Sequence, residues 1–109
     1  MDKLAIIFSM KSCGHCKTLK EMLDKEDIPY IDRDIDEHSD EYDMFVSITK
    51  NEYVPAFMLI ESPGQENSKT ELYAPERDYD ELDEGVKIIK EFYERSIITP
   101  FPNKSGFFF

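Results

Sequence analysis

Residues 8–19 read Phe8-Ser9-Met10-Lys11-Ser12-Cys13-Gly14-His15-Cys16-Lys17-Thr18-Leu19 and contain both cysteines of the chain. An apolar run over residues 4–8 predicts a buried strand before the cysteines, and apolar residues at helical spacing follow them. The pattern therefore predicts a strand that delivers a Cys-x-x-Cys pair to the start of a helix. Free N–H groups and the helix dipole favour a thiolate at Cys13. Cys16 lies one turn later, close enough to resolve a mixed disulfide.

The composition predicts one domain, over residues 1–96, with a C-terminal tail over residues 97–109 that ends in three phenylalanines. A net charge of −11 argues against binding to nucleic acid, because an acidic surface repels phosphate backbones. No apolar run approaches the roughly 18 residues that a membrane span needs. The N-terminal run is typical of a strand and not of a signal peptide, so we expect a cytoplasmic protein.

In a cytosolic chain, two cysteines at this spacing favour a catalytic or metal-binding pair over a structural disulfide. A zinc half-site and a stabilising disulfide are the alternatives to redox catalysis. Zinc lacks support, since Cys13, Cys16 and the distant His38 do not supply four ligands at a suitable spacing. Acidic residues 32–43 resemble a calcium loop but lack its required Gly and its final Glu. We therefore expect no metal site.

Hydrophobic periodicity predicts an α/β chain with the element order strand, helix, strand, helix, strand, strand, helix. The first helix begins at Cys13 with Ser12 as its predicted N-cap, and a second helix is predicted over residues 36–50, with acidic residues in its first turn. The third helix is predicted over residues 80–96. The predicted strands cover residues 3–9, 29–35, 54–60 and 69–73. Together these elements give a four-stranded mixed sheet flanked by three helices.

Residues 3–95 resemble the glutaredoxins of the thioredoxin superfamily, on the strength of three features. The motif Cys13-Gly14-His15-Cys16 follows the first strand directly. Ile28-Pro29-Tyr30 leads into an acidic strand end. In the third feature, Tyr53-Val54-Pro55-Ala56-Phe57, the family carries a Val and a cis-Pro that open the third strand. The resemblance implies a thioredoxin-like fold.

Two departures from the family pattern concern the site. Glutaredoxins commonly have Cys-Pro-Tyr-Cys, whereas the central pair Gly14-His15 resembles protein disulfide isomerases. The Gly-Gly that the family places before the third helix is replaced by Arg77-Asp78-Tyr79-Asp80.

The predicted catalytic residues are the two cysteines, with Cys13 as the nucleophile and Cys16 as the resolving thiol. His15 lies between them, and an imidazole can carry a proton near neutral pH, which would stabilise the thiolate and make the pair more oxidising. Lys11 and Lys17 are cations close to the same helix end. Either lysine can assist the thiolate or bind a carboxylate of glutathione.

The resemblance also implies residues that bind the substrate. A cis peptide before Pro55 would turn the backbone of Val54 toward the site, where an extended thiol substrate can pair with it as an added strand. Tyr53 is expected to line the same groove. Asp80 is expected near the start of the third helix, where it would either cap the helix or meet the amino group of glutathione.

The function implied is a glutathione-linked thiol–disulfide oxidoreductase that reduces protein disulfides or glutathione mixed disulfides. Glutathione is then a co-substrate, no cofactor is tightly bound, and the enzyme acts as a monomer. Its partners are disulfide-bearing proteins, with ribonucleotide reductase as one candidate for electron transfer. Two alternatives stay open: a thioredoxin-like protein reduced by a flavoprotein reductase, and a non-catalytic adaptor with this fold.

Overall fold

The computed structural model describes residues 3–95, and the predicted tail over residues 97–109 lies outside this range. Four strands and three helices form in the predicted order, which confirms the α/β, thioredoxin-like fold. None of these helices within residues 3–95 is long and apolar enough to cross a membrane. The elements are β1 (Lys3–Ser9), α1 (Gly14–Lys25), β2 (Ile31–Asp34), α2 (Ser39–Thr49), β3 (Ala56–Glu61), β4 (Lys69–Tyr73) and α3 (Leu82–Glu94).

The four strands form one mixed sheet with the order β2-β1-β3-β4. Strand β1 pairs in parallel with β2, with Ile6 opposite Ile31. It pairs antiparallel with β3, with Ala5 opposite Leu59. Strands β3 and β4 form an antiparallel hairpin. Because β1 is an inner strand, the residues that follow it lie near the middle of the end of the sheet where the carboxyl ends of β1 and β2 meet.

Both faces of the sheet are covered, as the nearly continuous apolar run of β1 predicts. Alternate residues of a strand point to opposite faces, so Ala5 and Ile7 join a core different from that of Ile6 and Phe8. Helices α1 and α3 cover one face, and α2 covers the other. The first core contains Ala5, Ile7, Leu19, Leu23, Phe57, Leu59, Val86, Ile89 and Phe92. The second contains Ile6, Phe8, Tyr42, Phe45, Ala56 and Ala74.

The element boundaries differ from the predicted ones by a few residues. Strand β2 begins at Ile31 and not at Pro29, which has no backbone N–H to donate to a ladder. Strand β3 begins at Ala56, after the Val54–Pro55 bond. The second helix begins at Ser39 and not at Asp36, because residues 35–38 form a turn, and Asp40 and Glu41 lie in its first turn as predicted. These shifts leave the register of the sheet and the position of the cysteines unchanged.

Lys3 links the start of β1 to the end of α3. Its side chain is buried, with 9% of the residue exposed. The ammonium donates to the carbonyl oxygen of Phe92 over 2.6 Å and also to that of Arg95. The last carbonyls of a helix lack partners within the helix, and a cation there also opposes the negative end of the dipole. Lys3 therefore completes the C-terminal turn of α3.

Replacing Lys3 with methionine removes these hydrogen bonds and keeps an unbranched side chain of similar length. We expect K3M to lower the free energy of unfolding by about 1–3 kcal/mol, the usual cost of losing hydrogen bonds to a buried charged group. Urea unfolding measures the effect. The control K87M changes an exposed lysine of the same helix, and its effect should stay within about 0.5 kcal/mol. Equal stabilities of the two variants would contradict the role of Lys3.

Candidate functional site

The N-terminus of α1 carries the cysteine pair. Cys13 is the N-cap residue, with extended backbone angles, and its Sγ accepts the backbone N–H of Cys16 over 3.0 Å. The prediction that Ser12 caps the helix is therefore wrong. The cap moves one residue along because the Sγ of Cys13 itself reaches the unpaired N–H. Cys13 thus places its sulfur where backbone N–H groups favour negative charge.

The two sulfurs form a disulfide, with the Cα atoms 5.3 Å apart. Their surroundings differ. Cys16 is 1% exposed, whereas Cys13 is only half-buried. A substrate sulfur can reach Cys13 from solvent, while the body of the protein screens Cys16. This asymmetry is the one that a nucleophile and a resolving thiol require.

The Val54–Pro55 segment faces the disulfide. The peptide bond between these residues is cis, which confirms the prediction made from the resemblance. The carbonyl oxygen of Val54 lies 3.9 Å from the Sγ of Cys13. The hydroxyl of Tyr79 donates to the carbonyl oxygen of Pro55. Burial raises the pKa of Tyr79 well above its usual value, so the hydroxyl stays a donor at neutral pH.

One groove brings together most of the predicted binding residues. Its volume is about 530 Å³, and its walls include His15, Tyr53, Val54, Pro55 and Asp80. The exposed ring of Tyr53 and the exposed imidazole of His15 stand on its rim. We call it the acidic groove, because its other walls carry the carboxylates of Glu76, Glu81 and Asp83.

Asp80 lines the acidic groove and does not cap α3. The N-cap residue is Glu81. The carboxylate of Glu84 accepts the backbone N–H groups of Asp80 and Glu81, each over 2.9 Å. The capping role predicted for Asp80 is therefore wrong, because α3 begins at Leu82 and Glu81 occupies the cap position. The side chain of Asp80 is exposed on the groove wall.

Lys11 and Lys17 are predicted binding residues that the structure does not bring to the acidic groove. Both line a second groove of about 410 Å³ next to Cys13, together with Lys20. We call this the lysine groove. Lys11 is largely exposed there and lies 3.9 Å from Glu37. The lysine groove also contains the carboxylates of Asp32, Asp34 and Glu37, so its charges are balanced, whereas the acidic groove has no lysine or arginine.

Ser9, Lys20 and Asp32 form a hydrogen-bonded cluster in the lysine groove, and the sequence pattern did not predict it. Ser9 donates to one carboxylate oxygen of Asp32 over 2.6 Å, and Lys20 donates to the other over 2.9 Å. Burial would raise the pKa of Asp32, but these two hydrogen bonds outweigh it and hold the pKa below its usual value. The three residues tie β1, α1 and β2 together beside Cys13.

Tyr79 and the carboxylates of Glu76, Glu81 and Asp83 were likewise missed from the sequence. Tyr79 contacts Pro55 across 24 residues of chain, and no local pattern signals such a distant pairing. The signal that existed was the polar stretch before the third helix, where the family has Gly-Gly. Within residues 3–95, no cluster of three or more His, Cys, Asp or Glu side chains is suited to hold a metal ion.

Comparison with protein-family models matches residues 5–59 to Glutaredoxin, which is just over half of the chain. The chain belongs to the glutaredoxin family. The matched region runs from β1 into β3 and contains Cys13, Cys16, Val54 and Pro55. Membership of the family makes the protein a thiol–disulfide oxidoreductase, and glutaredoxins generally act on glutathione and on disulfide-bearing proteins. No curated protein and no solved structure matches the chain.

Removing the hydroxyl of Tyr79 leaves the buried carbonyl oxygen of Pro55 without its donor. We expect Y79F to lower the free energy of unfolding by about 1–3 kcal/mol, the cost of an unsatisfied buried acceptor. Thermal or urea unfolding measures this loss. The control Y30F removes an exposed hydrogen bond to Asp24 and should change stability by less than about 0.5 kcal/mol. A Y79F variant as stable as Y30F would rule out this support for Pro55.

The lowered pKa of Asp32 predicts how the contribution of this residue to stability depends on pH. A carboxyl whose pKa is lower in the folded state stabilises the fold above its unfolded pKa, near 3.8, and this stabilisation is lost as the pH falls through the folded value. The stability gap between wild type and D32N should therefore be largest near neutral pH and close below pH 3.8. Urea unfolding across this range measures it. The control D43N changes an exposed carboxylate of α2, and its difference in stability from wild type should change little with pH. A difference for D32N that is equally independent of pH would refute the prediction.

Proposed function

We propose that the protein is a glutathione-linked thiol–disulfide oxidoreductase that reduces protein disulfides and glutathione mixed disulfides. The observation that carries the proposal is the placement of Cys13. Its half-exposed sulfur caps α1, forms a disulfide with the buried Cys16 and faces the carbonyl oxygen of Val54. A sulfur in this position is open to a substrate on one side and to its resolving partner on the other.

Reduction of a substrate begins with the dithiol form. The Cys13 thiolate attacks one sulfur of the substrate disulfide, so that a bond forms between enzyme and substrate and the other substrate sulfur leaves as a thiolate. The N–H of Cys16 and the dipole of α1 stabilise the attacking thiolate before the step. His15, exposed next to the pair, adds positive charge whenever it is protonated.

The Cys16 thiolate then attacks the Sγ of Cys13 and releases the second substrate thiol. The enzyme is left with the Cys13–Cys16 disulfide, and the substrate has gained two electrons and two protons. One glutathione thiolate attacks Cys13 and frees Cys16, which produces a glutathione mixed disulfide. A second glutathione attacks the glutathione sulfur of that mixed disulfide, so that oxidised glutathione leaves and the dithiol is restored.

The two grooves suit the two ends of glutathione. Its γ-glutamyl ammonium can meet the carboxylate of Asp80 in the acidic groove. Its glycine carboxylate can meet Lys11 or Lys17 in the lysine groove, while its cysteine lies over Cys13. The backbone of Val54 offers a hydrogen-bond partner to the peptide in between. Tyr53 contributes an exposed aromatic wall.

The remaining parts of the proposal follow from this chemistry. Thiol exchange needs no tightly bound cofactor, so glutathione acts as a co-substrate. The protein is proposed to work as a cytoplasmic monomer, where the glutathione pool is reducing. Its physiological substrate is a disulfide-bearing protein, and ribonucleotide reductase is a candidate because its turnover consumes a dithiol.

The test is steady-state reduction of a small glutathione mixed disulfide and, separately, of a protein disulfide, with glutathione, glutathione reductase and NADPH. C13S should reduce neither substrate above background, since the nucleophile is gone. C16S should keep activity on the glutathione mixed disulfide, which needs one thiol, and lose activity on the protein disulfide, which needs two. S12A is the matched control, because Ser12 is exposed and does not cap α1, and it should behave as wild type.

Each other outcome selects an alternative. Wild type that is inactive with glutathione but active with NADPH and a thioredoxin reductase would assign the protein to the thioredoxin-like class. Wild type that is inactive with both reductants would favour the non-catalytic adaptor. C13S that retains full activity would overturn the role of Cys13 in either enzyme.

A further inference from the structure

The walls of the acidic groove carry several carboxylates close to the reactive thiol. Glu76, Asp80, Glu81 and Asp83 line it, and no lysine or arginine does. Within residues 3–95, none of these four carboxylates forms an ion pair. The nearest cation in the sequence, Arg77, donates to Asp78 over 2.6 Å and lies outside the groove. His15 also lines the groove, but one imidazole against four carboxylates leaves an excess of negative charge.

The groove starts at the reacting sulfur. Val54 is shared between the two, because its carbonyl oxygen lies 3.9 Å from the Sγ of Cys13 and the residue also lines the groove. An extended peptide advances by about 3.3 Å per residue. A substrate whose cysteine meets Cys13 and whose backbone runs past Val54 thus places its next few side chains against Glu76, Asp80 and Asp83.

We propose that the acidic groove selects disulfide substrates in which the reacting cysteine is followed or preceded by lysine or arginine residues. This inference rests on the proposed dithiol chemistry and adds the substrate class to it: a basic peptide segment of a disulfide-bearing protein. The net charge of −11 acts in the same direction at long range, since it attracts a cationic partner. The carboxylates of the groove attract the cationic side chains at short range and determine where those side chains bind.

The size of the preference follows from the exposure of the groove. Ion pairs in contact with solvent contribute little individually and are screened by salt. Three or four of them acting together should favour a basic peptide over a neutral one by about tenfold in rate constant at low salt. At an ionic strength near 0.5 M this preference should fall to about twofold or less.

The experiment uses symmetric disulfides of three cysteine peptides of equal length, with arginine, glutamine or glutamate beside the cysteine. Each is mixed with the pre-reduced full-length protein, and the second-order rate of Cys13–Cys16 disulfide formation is measured after acid quenching. Both sulfurs of a symmetric disulfide are equivalent, so two peptide thiols form for each enzyme disulfide. Rates with dithiothreitol, an uncharged dithiol, correct for the intrinsic reactivity of each peptide. Glutathione is absent, so its binding does not enter the result.

Two double variants separate the groove from the overall charge. E76Q/D83N removes two carboxylates of the groove, and E21Q/E66Q removes two exposed carboxylates outside both grooves. Both change the net charge by the same amount. We expect the arginine peptide to lose most of its advantage in E76Q/D83N and to keep it in E21Q/E66Q. Circular dichroism confirms that each variant is folded.

The outcomes are distinct from those that test the proposed function. Failure to oxidise Cys13 and Cys16 with any peptide would overturn the dithiol chemistry itself. Reduction of all three peptides at equal corrected rates would overturn the selectivity and leave the chemistry intact. A preference that falls equally in both double variants would overturn the assignment to the groove, since overall charge would then account for it.

Discussion

The hydrogen bond from the N–H of Cys16 to the Sγ of Cys13 is the interaction around which the site is built. A helix must satisfy its first N–H groups from outside the helix, and α1 does so with the sulfur of its own cap residue. The same contact that starts the helix therefore holds the reactive atom. Strand β1 determines where this happens, because its central position in the sheet brings the start of α1 to the middle of an edge, within reach of Val54.

Two grooves of different charge lie beside this contact. The acidic groove carries carboxylates and no lysine or arginine, whereas the lysine groove combines three lysines with the carboxylates of Asp32, Asp34 and Glu37. The proposed reductant, glutathione, would span both grooves, and the proposed basic protein segment would need only the acidic groove. One sulfur would in this way serve a small reductant and a large substrate in turn.

Features set by local patterns could be predicted from the sequence. The apolar run of β1 and the cysteine spacing indicated the fold and the redox pair, and the resemblance of residues 53–57 to the glutaredoxins implied the cis peptide. Contacts between distant segments could not be predicted. Nothing in the stretch before α3 indicates that Tyr79 reaches Pro55, and side-chain direction, which sequence spacing does not give, sends Lys11 to the lysine groove. Ser12 failed as a cap because α1 begins at Gly14, one residue later than predicted, so that Cys13 occupies the cap position.

The buried ammonium of Lys3 has a consequence for how the protein can be handled. It joins the first residue of β1 to the last turn of α3, so positions 3 and 95 are close together. The seven residues of β1 separate that end of the sheet from the cysteines by roughly 20 Å. A peptide linker that connects the two positions, or a surface to which either is tethered, leaves both grooves open. The fold thus has an anchoring end, where Lys3 meets α3, and a working end, where the cysteines lie.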